Sequence, residues 1–214
     1  MLKCKCQLYN LTYLHYLLIT MMLLLSGCSI QNTDMVLVLD LSGSTQDHYT
    51  MVTEFATHLV YGLDMSFSRT RLGIITFSTT SKNEFFLNTY TDKESIINAM
   101  RFEHYGGRTN IYHALNRLNE EQFILASGDR VGVRNIAVLV SDGYSNEQAG
   151  QELAEAEIVK DRGAEVYTIA LGESPNLSDI NEMSSNPDSD YVIRLRTIAE
   201  AEDAAEMLLD TLCR

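Results

Sequence analysis

Apolar and polar positions along this chain alternate between two periods, and the alternation predicts six strands separated by helices. Met35-Val-Leu-Val-Leu-Asp40 is a continuous apolar run closed by an acid, as expected of a strand buried on both faces of a sheet. Residues 71–77, 135–140 and 166–171 repeat that character; 84–87 reads as a short edge strand and 191–195 as a last strand. Between them the apolar spacing lengthens to three and four. Val52, Phe55, Ala56, Leu59 and Val60 mark a helix over 45–63, and Ile111, Ala114, Leu115, Leu118 and Phe123 mark one over 109–126. Thr91-x-x-Glu94 and Thr197-x-x-Glu200 have the form of capping boxes, opening helices that run to Phe102 and Cys213. Ser145–Gln148 is expected to cap a helix ending at Gly163, and 176–185 a short one. No internal repeat and no Pro/Gly/Ser-rich linker divides the pattern. It predicts one α/β domain: a doubly wound, mainly parallel six-stranded sheet, helices on both faces, one short antiparallel edge strand.

Residues 1–27 stand outside the pattern. Lys3 and Lys5 precede a largely apolar stretch over 11–25 that closes on Ser26 and Gly27, the layout of a secretory signal peptide. The alternative is a signal anchor retained in the membrane, since the run nears spanning length. Cleavage leaves a single domain over 28–214, core about 33–213, without a membrane span. Losing the two lysines takes the net charge from −13 to −15. So acidic a chain, with no basic run, argues against a nucleic-acid partner. Cys28 and Cys213 remain at the two ends, a pairing that reads as a disulfide in a secreted, extracellular protein. Leu25-Ser-Gly-Cys28 also resembles a bacterial lipoprotein box, in which Cys28 carries lipid, and both readings stay open.

In an open parallel sheet, ligands gather at the carboxyl ends of strands, where strand order reverses. Asp40-Leu-Ser42-Gly-Ser44 follows one buried strand, Asp142-Gly143 follows another, and Thr109 comes after Gly106-Gly107-Arg108. Every one of these side chains ends in oxygen, the donor type of a hard divalent cation. Taken singly, Ser42, Ser44 and Thr109 serve equally well as helix caps and Asp142-Gly143 as a turn. Together they resemble the metal-ion-dependent adhesion site of von Willebrand factor type A domains, found in integrin inserted domains and in the modules of matrilins and collagens. The resemblance covers about residues 33–213.

That resemblance implies a Rossmann-like fold and a Mg²⁺ or Mn²⁺ ion held by Asp40, Ser42, Ser44, Thr109 and Asp142. It implies a non-enzymatic adhesion module, in which the ion takes a carboxylate from an extracellular protein ligand. The surrounding loops give an expected contact rim of Thr45, His104, Arg108, Gly143 and Tyr144. In integrin-type members the last helix slides to switch affinity, and a Cys28–Cys213 bond is expected to restrain such sliding here. Two other classes compete. Paired strand-end acids also serve Mg²⁺-dependent hydrolases, with His48 and His113 as candidate bases, but no nucleophile elbow, phosphate loop or His-Glu-x-x-His helix accompanies them. A structural module within a larger assembly is the other. Asn176-Leu-Ser178 is a sequon for N-glycosylation.

Overall fold

Strand β1 (Thr33–Asp40) is buried at every position, and its side chains leave alternately for the two faces of the sheet. Met35, Leu37 and Leu39 enter one core, Val36 and Val38 the other. The computed structural model describes residues 32–65 and 69–213. A 3₁₀ turn (Gly43–His48) follows β1 and runs into α1 (Tyr49–Gly62). Then come β2 (Thr70–Phe77), β3 (Ser81–Phe85), α2 (Lys93–Ala99), α3 (Ile111–Arg117) and β4 (Arg134–Ser141). The chain continues through α4 (Gln151–Asp161), β5 (Glu165–Leu171), α5 (Leu177–Met183), the single turn α6 (Asp188–Tyr191), β6 (Val192–Leu195) and α7 (Ala201–Leu212).

The six strands lie in the order β3-β2-β1-β4-β5-β6. All neighbours are parallel except β2 and β3, which pair antiparallel. This is the doubly wound α/β sheet expected, and its strand order reverses between β1 and β4. Helices α1, α2 and α7 cover one face through Phe55, Leu59, Ile96 and Leu208; α3, α4 and α5 cover the other through Leu115, Ala156 and Ile180. Fully burying side chains of this size contributes about 1.5–3 kcal/mol each, so the two cores dominate stability. Helices α1 and α7 approach so closely at Gly62 that a Cβ there would lie 2.1 Å from Leu209 Cδ1. Arg134, at the start of β4, then donates to the carbonyl of Leu212 at the end of α7 (3.2 Å) and to Glu165 (2.7 Å).

Local chemistry moves several boundaries. Asp92, not Thr91, caps α2, accepting from the Ser95 N–H at 2.8 Å. The edge strand sits at 81–85 rather than 84–87. The helix expected over 109–126 keeps regular geometry only to Arg117 and then widens into a π turn (Leu118–Gln122). Buried polar side chains in that turn bond to neighbouring elements: Asn119 donates to Glu155 (2.6 Å), and Gln122 donates to Asn83 (2.9 Å) and to the Phe85 carbonyl (3.0 Å).

Candidate metal centre

The crevice at the reversal of strand order is closed by two acids. Asp40 ends β1, fully buried, and Asp142 follows β4, 8% exposed. The Ser42 N–H donates to Asp40 Oδ1 (3.0 Å) and the Ser141 hydroxyl to Asp40 Oδ2 (2.7 Å). The Tyr144 N–H donates to Asp142 Oδ1 (3.0 Å). Beside these acids three hydroxyls converge. Thr109 Oγ1 lies 2.8 Å from Ser42 Oγ, Ser42 Oγ 3.2 Å from Ser44 Oγ, and Ser44 Oγ 3.5 Å from Thr109 Oγ1.

None of those hydroxyls caps a helix. Ser42 occupies the N-cap position of the 3₁₀ turn without a side-chain capping bond. Asn110, not Thr109, caps α3, accepting from the His113 N–H at 2.9 Å. The loop is held instead by Thr45, whose buried hydroxyl donates to the carbonyls of Asp40 and Ser42, both at 3.0 Å. Gly43 allows the next contact: a Cβ there would lie 2.9 Å from the Gly107 carbonyl, to which the Gly43 N–H donates at 3.0 Å. Thr109 is clasped from the far side. Its N–H donates to Asn146 Oδ1 (2.9 Å), while its carbonyl accepts from the N–H groups of Asn146 and Glu147 (both 3.0 Å) and from the Ser145 hydroxyl (3.3 Å). Those commitments correct the expected cap at Ser145–Gln148. The segment is spent on Thr109, and α4 begins only at Gln151.

Burial pushes the Asp40 carboxyl up to about 6; hydrogen bonds from Ser42 and Ser141 hold it back in part, and the charge of Asp142 adds to the rise. Among the described residues no ion pair reaches Asp40 or Asp142. Nor does any group of three or more His, Cys, Asp and Glu side chains there form a metal cage. The set that does converge, two carboxylates and three hydroxyls, is all oxygen and short of positive charge. It fits a hard cation such as Mg²⁺ or Mn²⁺, which binds through few carboxylates and retains water.

The expected rim divides. Arg108 and Tyr144 are exposed, Arg108 paired with Glu147 at 2.7 Å. Thr45 and Gly143 are buried, and Gly143 has a φ of +79° with Ile180 packed on its Cα. Half-buried His104 turns inward, 2.8 Å from the Ser42 carbonyl. Of the candidate bases, His113 bonds Ser81 on β3 (2.7 Å), and His48 packs on Gly172 with its buried Nδ1 lacking a hydrogen-bond partner among the described residues. Asn176 caps α5 with its side chain, donates its Nδ2 to Asp179 (2.7 Å) and gives its N–H to the Asp142 carbonyl (2.8 Å). Cys28 and the segment 1–27 lie outside the described residues. Sequence reasoning missed Ser141, although it left a trace as the polar residue closing an apolar run; Asn146 and exposed Tyr105 lie in the loops expected to form the rim, but the bond from the Thr109 N–H to Asn146 was not foreseen.

Comparison with known proteins places the fold in a family. The family model of the von Willebrand factor type A domain matches residues 34–206. Matrilin-3 of Mus musculus is 27% identical over 191 residues, spanning 87% of this chain and 39% of its own length. Proximal thread matrix protein 1 from the mussel byssus, solved with a zinc-occupied MIDAS motif, superposes with a TM-score of 0.76 at 25% identity, over 86% of this chain and 48% of that one. Manganese-loaded TRAP protein of Plasmodium vivax shares the fold, with a TM-score of 0.72 at 17% identity, over 86% of this chain and 74% of its own. The chain thus spans about two fifths of the matrilin and about half of the thread protein.

Proposed function

Because this chain belongs to the von Willebrand factor type A domain family, we propose that its hydroxyl–carboxylate cluster holds one divalent cation and presents it to a carboxylate of an extracellular protein. The observation that carries this reading is the convergence of Ser42, Ser44 and Thr109 hydroxyls within 3.5 Å of one another, beside two acids to which no cationic side chain is paired among the described residues. Asp40 and Asp142 supply the negative charge, and the three hydroxyls supply neutral oxygens. When bound, the ion supplies an incompletely neutralised positive charge that attracts a further carboxylate. The protein's own part is to hold the hydroxyls in place and leave exposed Arg108, Tyr105 and Tyr144 around the opening. The metal-occupied MIDAS of the thread matrix protein supports the choice of a cation, and Mg²⁺ or Mn²⁺ suits the all-oxygen donors. Among the described residues neither His48 nor His113 hydrogen-bonds to Asp40 or Asp142, so neither lends support to a hydrolase.

Secretion through a cleaved signal peptide over 1–27 completes the proposal. Once residues 1–27 are removed, Cys28 is the cysteine left to pair with Cys213, and this proposal takes the disulfide over a lipid on Cys28. Among the described residues no helix is long and apolar enough to cross a membrane. The test is capture of extracellular matrix and cell-surface proteins on the immobilised domain with Mg²⁺, with EDTA, and with Asp142→Ala. Partners held only by the wild type with metal are expected. Partners held equally in all three conditions would move binding away from this cluster.

A further inference from the structure

The cation reading leaves open what fixes the two arms that bring the hydroxyls together. One arm is the loop carrying Ser42 and Ser44. The other is residues 102–109, which has no regular secondary structure and ends at Thr109. Besides the hydroxyl contacts of Thr109 with Ser42 and Ser44, three hydrogen bonds join them. Two are between main-chain groups, the Gly43 N–H to the Gly107 carbonyl (3.0 Å) and the Gly106 N–H to the Leu41 carbonyl (3.2 Å). The third uses a side chain: His104 Nε2 lies 2.8 Å from the carbonyl of Ser42. A carbonyl only accepts, so Nε2 carries the proton and donates.

We propose that His104 is a positioning residue for the cation site, its Nε2–H holding the Ser42 carbonyl so that the Ser42 hydroxyl faces Thr109. Two features argue for this role over simple surface packing. Ser42's carbonyl also accepts from the N–H (3.2 Å) and hydroxyl (3.0 Å) of Thr45, but both belong to the same loop; of its three donors only His104 reaches across from the other arm. The ring is itself fixed, edge-on to Tyr49 with centroids 5.9 Å apart and planes at 81°. The Tyr49 hydroxyl donates back to the Phe102 carbonyl, at the start of the arm that carries His104. The imidazole is thus oriented by α1, and the Ser42 hydroxyl it serves sits 2.8 Å from that of Thr109. Releasing this bond leaves the two main-chain bonds in place but frees the Ser42 carbonyl from its side-chain tie to the other arm, and a cation site of mostly neutral oxygens depends on that alignment.

The inference rests on the cation reading, and one experiment separates their failures. Mn²⁺ is titrated calorimetrically into wild type, His104→Phe, His104→Gln and Asp142→Ala, and each metal-free protein is melted. His104→Phe keeps a ring against Tyr49 without the donor; His104→Gln keeps an N–H donor without the ring. Loss of an outer partner of this kind weakens a metal site by about tenfold or more. We expect His104→Phe to bind Mn²⁺ about tenfold more weakly with little change in melting temperature, and His104→Gln to recover most of that loss. Affinity unchanged in His104→Phe would overturn the proposal, as would equal weakening in both variants or a fall in melting temperature that accounts for the loss. If wild type binds Mn²⁺ no better than Asp142→Ala, the cation reading itself fails and the role of His104 falls with it.

Discussion

Two aspartates on the same strand, both fully buried, meet opposite fates. Asp34, near the amino end of β1, receives its cation from the chain itself: the Arg130 guanidinium lies 2.7 Å away, and Arg130 adds its main-chain N–H at 2.7 Å. Six residues on, Asp40 has only hydroxyl and amide partners, with a second acid close by. A carboxylate taken out of water needs a compensating positive charge. At the amino end of the sheet that charge is covalently built in. At the carboxyl end the cation of the proposed function would supply it. On the proposed function, one pole serves stability and the other binding. This division predicts that substitutions at the two poles move different observables.

The largest effect is expected from Arg130→Ala. It strands the buried Asp34 carboxylate and removes bonds to the carbonyls of Thr33 and Arg69, both 2.9 Å. Urea unfolding should show a loss of about 3–5 kcal/mol, the cost of breaking a buried pair, with Mn²⁺ affinity of the folded protein unchanged. Removing the proposed Cys28–Cys213 bond by double substitution to Ser is next, at roughly 2–5 kcal/mol. It acts at the same pole, where Arg134 already holds the end of α7. Cation affinity should again stay within a factor of about ten; a larger change would make the last helix a regulator of the site.

At the other pole the signs change. Saturating Mg²⁺ or Mn²⁺ at about a hundredfold excess over Kd should raise wild-type stability by about 2.7 kcal/mol, and EDTA should reverse it. Asp40→Asn should abolish that gain while costing the metal-free protein about 1 kcal/mol or less, or even stabilising it, because it removes a buried, uncompensated charge. A metal-free Asp40→Asn protein as damaged as Arg130→Ala would erase the distinction between the poles.

The sequence carried the binding pole more openly than the stabilising one. Asp40, Ser42 and Ser44 sit within five positions, directly after an apolar run whose continuity marks a buried strand, so local pattern alone placed them at a strand's carboxyl end. Six strands, their α/β alternation and the antiparallel edge were legible for the same reason. The supporting partners were not. Ser141 serves Asp40 from 101 positions away, His104 serves Ser42 from 62, and Asn146 serves Thr109 from 37. Arg130, the counter-ion of Asp34, is 96 positions distant. Nothing in local spacing distinguishes such a residue from solvated surface. Asn146 was misread as part of a helix cap because its residue type suits a cap as well as a clasp. Thr109 shows the converse: the position fits an N-cap, but Asn110 takes the cap and frees its hydroxyl for the site.

The most direct test of the two-pole account is a calorimetric titration of Mn²⁺ into the wild-type domain, Asp40→Asn and Arg130→Ala under conditions where all three are folded. The account predicts one ion per chain in the wild type and in Arg130→Ala, at the same affinity, and none in Asp40→Asn. Equal binding by the wild type and Asp40→Asn would contradict it.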